Sequence, residues 1–329
     1  MSKFSSSLPE SIELDGERFC VVNHEIIQPL WSDYGYLVRC FIEHPQIPSV
    51  ILKSIQLPSE PAIAHPKGWN TPASHQRKLD SYQVEFNWYK NYASQQPLDW
   101  VPQCLMATKT NQRLDLILED LKLIDCANSV EMPSQRHIKL AIEWLACFHA
   151  YWLGCAPERL WSRGTYWHLG TRQNEFEAMQ QGRLKQAAPD IAERIYSCRY
   201  QTLVHGDAKL ANFCFDNALS KTMAVDFQYV GQGIGVQDLV LLLTSALDFT
   251  DPQLSIEPWV DYYFEQLEAA VIIYHPTIDS SDLERCWRPL VGLAWADFQR
   301  FLLGWSPTHW KINPFTQNLV SVALDKHDL

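Results

Sequence analysis

The stretch LVHGDAKLANFCF, residues 203–215, sets an imidazole, a carboxylate, an ammonium and an amide close together between two apolar runs. His205, Asp207 and Asn212 fit the pattern H-x-D-x-x-x-x-N, and Asp226 follows in MAVDFQ, fourteen positions after Asn212. Phosphoryl transfer asks for this combination. It needs a carboxylate beside the attacking hydroxyl and an oxygen-rich pair that holds Mg2+ on the nucleotide phosphates. Asp207 suits the first role. Asn212 and Asp226 suit the second, because Mg2+ takes few protein oxygens and leaves its other positions to water and phosphate. A metal-dependent hydrolase built on His205 and Asp207 would use the same loop differently. It needs further ligands, and His149 and His168 do not stand at a ligand spacing.

The elements that must position these residues follow from hydrophobic periodicity. FCVVNHEIIQPL, YLVRCFIEH and SVILKSIQL are predicted strands, the first two joined in hairpin fashion by WSDYG. PSEPAIAHPKGWNTPAS, with four prolines, is a predicted long exposed loop. In HQRKLDSYQVEFNWYKNYA, Leu79, Tyr82, Phe86 and Tyr89 make one helical stripe with Glu85 beside it. RLDLILEDL is another extended run. From Leu121 the pattern turns helical: Ser134 is a predicted N-cap for a helix with Ile138, Ile142, Leu145, Phe148 and Trp152 on one face. NEFEAMQQGRLKQ, VQDLVLLLTSAL, EPWVDYYFEQLEAAVIIY and RPLVGLAWADFQRFLLGW are further predicted helices, and TMAVDFQYV a short strand. The sum predicts an α+β chain with a small β-rich N-terminal lobe over residues 1–120 and a larger helical C-terminal lobe over residues 121–329.

Composition narrows the classes. The chain has 329 residues, 47% hydrophobic and 20% charged, enough apolar material for a sizeable core. Its formal charge of -11 comes without a Lys/Arg block, which argues against nucleic acid as a partner. The N-terminus lacks the apolar stretch of a signal peptide and no run reaches a membrane span. The nine cysteines are scattered, with no C-x-x-C pair, and are expected mostly as small buried hydrophobes in a reducing cytoplasm.

HGDAKLAN resembles the catalytic loop of the protein-kinase-like superfamily, and VDFQ resembles its metal-binding D-F-G. Gly206 and Gln228 bring the chain close to the small-molecule branch: aminoglycoside phosphotransferases, choline kinases and above all the ecdysteroid-kinase-like (CHK-kinase-like) family. There H-G-D and N are followed by D-F-Q, then by D-L ahead of a Leu-rich helix, as Asp238-Leu239 and VLLL are here. LILEDL and LACFHA extend the resemblance upstream. It implies a bilobal protein-kinase-like fold, ATP and Mg2+ as cofactors, and γ-phosphate transfer to a hydroxyl of a small molecule. It implies Asp207 as catalytic base, Asn212 and Asp226 as metal ligands, Lys53 as the strand lysine on the α/β-phosphates and Glu85 as its helix partner. Residues 119–121, with Glu119 and Leu121 at the ends, correspond to the hinge whose backbone binds adenine. Lys209 matches the protein-kinase lysine that reaches the γ-phosphate, a part other residues take in the small-molecule branch. His205 corresponds to a structural histidine, and Asp238 to a brace of the loop.

The chain also departs from that pattern. QPLWSDYGYLV keeps only Gly35 of a glycine-rich loop, and Ser32 with nearby backbone amides would cover the phosphates instead. Gly206 replaces the arginine that pairs with a phosphorylated activation loop, and no A-P-E follows Asp226, which argues against that form of activation and against a protein substrate. A catalytically inactive, kinase-shaped binding module is the alternative reading; the presence of Lys53, Asp207, Asn212 and Asp226 together argues against it. Residues 160–173 and 295–305 are rich in aromatics, either as a pocket for an apolar alcohol, as a cation cage, or as core packing. Arg163, Arg172 and Arg300 are candidates for an acidic substrate or for surface pairing.

Overall fold

The computed structural model describes residues 8–30, 34–57, 72–97 and 99–329. The chain divides into two compact units, one of Met1–Ala127 with Met223–Gln228, the other of Asn128–Thr222 with Tyr229–Leu329.

The first unit is a six-stranded antiparallel sheet of β1 (Ser11–Leu14), β2 (Glu17–Pro29), β3 (Gly35–Ile42), β4 (Ser49–Gln56), β5 (Cys104–Lys109) and β6 (Arg113–Glu119), in the order β1-β2-β3-β4-β6-β5. Alternation along the strands sorts the side chains by face. Tyr36, Val38, Cys40 and Ile42 of β3 pack with Val50, Leu52 and Ile117 in one buried cluster. Lys53 follows Leu52 and so takes the opposite face. There α1 (Pro72–Asn91) packs against β5 and β6 and buries Tyr82, Phe86 and Tyr89 of the expected stripe. Helix α1 starts earlier than its stripe alone indicated, because Pro72 is already set for a first helical turn. Strands β1 and β5 escaped the pattern: SIEL and CLMATK are short and poor in β-branched residues. The β2–β3 hairpin closes through the Leu30 N–H on the Gly35 carbonyl at 2.8 Å. Trp31, Ser32 and most of the expected proline-rich loop lie outside the described residues.

The second unit is mainly helical: α2 (Gln135–Tyr151), α3 (Gln173–Ala178), α4 (Arg183–Tyr196), α5 (Val236–Ala246), α6 (Glu257–Tyr274), α7 (Ser280–Trp287), α8 (Val291–Trp305) and α9 (Pro314–Lys326). Ser134 begins α2 as the sequence indicated, its N–H donating to His137 Nδ1 at 3.1 Å. The single helix expected over NEFEAMQQGRLKQ is two helices. It breaks ahead of Gly182, a poor helix former, and Lys185 Nζ caps α3 by donating to the Glu177 and Met179 carbonyls at 3.0 and 2.5 Å. Helices α7 and α9 went unpredicted, although Asp279 and Asn313 cap them through their side chains. The helices pack as α2 on α6 and α8 on α9, α4, α3 and α5. Between them runs a two-stranded ribbon of β7 (Thr202–Val204) and β10 (Gly231–Gly233). The strands β8 (Phe213–Phe215) and β9 (Thr222–Ala224) are equally short, and the expected strand over TMAVDFQYV shrinks to β9.

The nine cysteines are all free, but only Cys40 and Cys126 are fully buried and Cys20 is exposed, so most are not the core residues expected. Among the described residues no helix is long and apolar enough to cross a membrane.

Candidate active site

In the first unit, three residues from distant parts of the sequence meet. Lys53 from β4 places Nζ 2.7 Å from Glu85 Oε1 and 2.6 Å from Oε2, with both side chains buried. Asp226 Oδ1 stands 3.4 Å from the same nitrogen. Burial works against the Lys53 ammonium, but Glu85 and Asp226 outweigh it and shift the group above its ordinary range. The lysine therefore stays charged.

Each residue of D-F-Q has a task within this unit. Asp226 adopts a left-handed backbone, φ 69°, a conformation that costs a non-glycine residue energy and collects at functional sites. Phe227 is fully buried and stacks on Trp88 of α1 at 4.5 Å. Gln228 Oε1 accepts from Lys78 Nζ at 2.6 Å and from Ser81 Oγ at 3.4 Å. A glycine in place of Gln228 would give up both contacts with α1.

The residues expected at the hinge are held through Asp120 by Arg39 and Ser49, two side chains without a sequence signal. Asp120 accepts from Arg39 Nε at 2.6 Å, from Ser49 Oγ at 2.7 Å and from the Lys122 N–H at 3.1 Å. It thereby caps the 3-10 turn Leu121–Ile124. Glu119 ends β6 with its N–H on the Gln103 carbonyl, and the buried Leu121 gives its carbonyl to the Cys126 N–H. Gly35 also has a reason inside the sheet. At φ 149° a Cβ there would meet the Ser54 carbonyl oxygen at 1.9 Å, so only glycine fits.

The second unit carries the loop 205–212. Asp238, in the first turn of α5, accepts the His205 N–H at 2.5 Å and the Gly206 N–H at 3.0 Å. His149 Nε2 lies 3.1 Å from Asp238, and Tyr263 OH lies 2.9 Å from His149 Nδ1, so a fully buried chain of three side chains fixes the loop. His205 is buried as well, its Nδ1 receiving the Asp207 N–H at 3.2 Å. At Gly206, φ 78°, a Cβ would fall 2.0 Å from the Tyr229 carbonyl oxygen. The glycine of H-G-D is thus imposed by packing. The loop ends with the Leu210 N–H on Ser245 Oγ at 2.8 Å.

That scaffold sets Asp207. Its Oδ2 receives Lys209 Nζ at 3.1 Å and Asn212 Nδ2 at 3.2 Å, and Asn212 Nδ2 also donates to its carbonyl at 2.8 Å. With its nitrogen so engaged, the Asn212 amide points its oxygen elsewhere, and that oxygen accepts no hydrogen bond among the described residues. A hard oxygen of this kind on Asn212, and a carboxylate on Asp226, are the donor types Mg2+ takes. Among the described residues no three His, Cys, Asp or Glu side chains cluster as a metal site would need. Of the imidazoles of the hydrolase alternative, His149 and His205 are engaged in holding the loop and His168 meets the Thr171 hydroxyl.

The aromatic segments pack mainly as core. Trp167 is fully buried with Leu241, Phe298, Phe301 and Leu302. Arg300 is neither a surface residue nor exposed to a substrate. It is fully buried, with Nε 2.9 Å from Asp297 Oδ1 and Nη2 on the Trp167 carbonyl. Arg172 pairs with Glu175 and donates to the Tyr166 carbonyl, and Arg163 stacks over Tyr196 at 4.3 Å. One cation without a sequence signal, Lys311, donates to Thr244 Oγ1, beside the Ser245 hydroxyl that receives the Leu210 N–H of this loop. Burial pulls Lys311, in the segment between α8 and α9, down to about 8; Asp207 opposes that fall and Lys209 adds to it.

Comparison with known proteins bears on the fold and on the segment that carries the loop 205–212. The ecdysteroid kinase-like family matches over residues 162–274, the segment that holds Asp207, Lys209, Asn212, Asp226 and Asp238. The chain carries an ecdysteroid kinase-like segment. No curated protein matches the chain by sequence. Among solved structures, the amicoumacin kinase hAmiN, in complex with AMP-PNP, Ca2+ and Ami, superposes with a TM-score of 0.53 at 14% identity, over 91% of this chain and 86% of that one. The choline kinase of Cryptosporidium parvum Iowa II gives 0.53 at 10% identity, over 93% and 89%. These likenesses establish the kinase-like fold around the ecdysteroid kinase-like segment.

Proposed function

We propose that the chain is an ATP- and Mg2+-dependent phosphotransferase that moves the γ-phosphate to a hydroxyl group of a small molecule. The observation that carries this reading is the buried Lys53–Glu85 pair beside Asp226. Glu85 and Asp226 keep this buried lysine charged, and a nucleotide phosphate is the use of that charge that the fold and the family segment suggest.

In this reading Lys53 contacts the α- and β-phosphates, and Glu85 fixes its direction. Glu119 and Leu121 belong to the hinge that takes adenine, with Gly35 in the strand turn that precedes it; Ser32 is assigned to the phosphates on resemblance alone. Asn212 through its side-chain oxygen and Asp226 through its carboxylate would hold Mg2+, which would neutralise charge on the transferring phosphoryl group. Asp207 orients the acceptor and takes its hydroxyl proton as the acceptor oxygen bonds to the γ-phosphorus; the electron pair of the broken bond leaves with ADP. Lys209, already on Asp207 Oδ2, is placed to follow the phosphoryl group as it moves. Positioning and electrostatics supply the rate.

The test is thermal stability with ATP, Mg2+ or both, for wild type, Asp226→Ala and Asp207→Asn, followed by ADP release with a panel of alcohols. At 100 times Kd, ligand binding adds about 2.7 kcal/mol to the folded state. The reading expects a shift that needs both ligands, that is lost in Asp226→Ala and kept in Asp207→Asn. Turnover in Asp207→Asn should fall by about a hundredfold or more. No shift with any nucleotide would favour the inactive binding module.

A further inference from the structure

Lys311 Nζ donates to Thr244 Oγ1 at 3.1 Å and lies 5.5 and 5.6 Å from the ring centres of Phe298 and Trp310. Thr244 gives its own hydroxyl hydrogen to the Leu241 carbonyl at 2.8 Å, which turns a lone pair toward the lysine. Among the described residues no carboxylate forms an ion pair with this ammonium. The charges that bear on it are Asp207, the proposed base, and Lys209 beside it. A half-buried ammonium held by one hydroxyl and two ring faces is under-compensated, since those contacts are weaker than an ion pair. Trp310, next to it, leaves 61% of its surface exposed, so an apolar wall and a cation adjoin each other at Thr244, whose neighbour Ser245 holds the loop of Asp207 through the Leu210 N–H at 2.8 Å.

We propose that Lys311 receives an anionic group of the acceptor, so that the substrate is a hydroxyl compound bearing an acid and an apolar or aromatic body that lies on Trp310. The inference rests on the phosphotransferase reading for the word acceptor, but the anion site itself does not depend on turnover. Lys311 and Lys209 together also repel a cationic acceptor, which sets specificity by exclusion as well as by attraction.

Three alcohols on one skeleton separate the cases: 4-(hydroxymethyl)benzoate, 1,4-benzenedimethanol and 4-(aminomethyl)benzyl alcohol. Their binding to the full chain is read from tryptophan fluorescence at pH 7 with AMP-PNP and Mg2+ present, and AMP-PNP binding is measured separately by thermal shift. The anion should bind about tenfold tighter than the diol, and the amine weakest. Lys311→Met should bring the anion level with the diol, and Lys311→Glu should invert the order, with the AMP-PNP shift unchanged in both. The proposal fails if wild type ranks the diol or the amine first, if none of the three binds, or if Lys311→Met keeps the order. It fails too if that variant weakens AMP-PNP while the order stands, because Lys311 would then serve the nucleotide. If AMP-PNP does not bind at all but the anion still ranks first through Lys311, the anion site stands and the kinase reading falls.

Discussion

The His205 N–H meets the Asp238 carboxylate at 2.5 Å, and neither residue is exposed to solvent. The adjacent Gly206 N–H takes the other oxygen, and His149 approaches the first. Asp238 is therefore the anchor of the loop 205–212. Asp238→Asn keeps the shape but turns an NH2 toward groups that donate. It should cost about 2–4 kcal/mol of stability, since charged hydrogen bonds are lost in a buried setting. Urea unfolding of the two proteins checks this; an unchanged midpoint would remove Asp238 from its role.

Gly206→Ala tests the tightest approach in the loop. The new methyl would meet the Tyr229 carbonyl oxygen at 2.0 Å with φ at 78°. Gly154 is the control: φ is 79° there, with nothing within 4 Å of a Cβ. Gly154→Ala should cost about 1 kcal/mol from backbone strain alone. Gly206→Ala should cost clearly more and depress turnover, and equal losses at the two sites would refute the packing argument.

The legibility of the site tracks how local its residues are. Asp207, Asn212 and Asp226 share short motifs whose chemistry reads directly from residue types. Lys53 and Glu85 were readable only by their order ahead of those motifs, because one lysine in a strand carries no pattern; the fold then put them 2.6 Å apart. Lys311 had no signal at all. It lies in a connection between two helices, and only the packing of α5 and α8 brings Thr244 and Phe298 to it. Arg300 was open to a surface or substrate role because charge usually marks solvent, yet Asp297 three residues before it compensates the burial. The main strands and long helices followed from periodicity, whereas β1, β5, α7 and α9 were too short or too weakly patterned to stand out.

Lys53→Met should strand Glu85. Burial pushes that carboxyl upward, with Lys53 as the main opposing group. Without the ammonium Glu85 must take a proton or remain an isolated buried charge. A carboxyl with a raised folded pKa contributes stability at low pH and loses it as pH rises through that value. The variant should thus be destabilised by about 3 kcal/mol at pH 8 and less at pH 5, and adding Glu85→Gln should recover most of the deficit. Urea midpoints across that range decide it; a deficit independent of pH would contradict the pairing.

Lys311 gives a second pH signature of opposite kind. Its folded value, lowered by burial to about 8, sits below the 10.5 of a solvated lysine. Between those values the unfolded chain holds a proton that the folded chain has released, so stability contributed by this group rises with pH across that window. Lys311→Met should be more stable than wild type at pH 7, and the gap should close toward pH 10. Parallel curves would show that the ammonium is not desolvated.

Phe227 on the face of Trp88 has a consequence for how this protein can be inherited or rebuilt. The stretch Met223–Gln228 is a contributed piece of the first unit, supplied from far along the chain. A gene segment ending at Ala127 would encode the sheet without the ring that covers Trp88 and without the carboxylate beside Lys53. The first unit is thus no portable cassette. Recombination that exchanges it must carry the hexapeptide along, and splitting the gene at the boundary yields two fragments of which the first lacks part of its own interior.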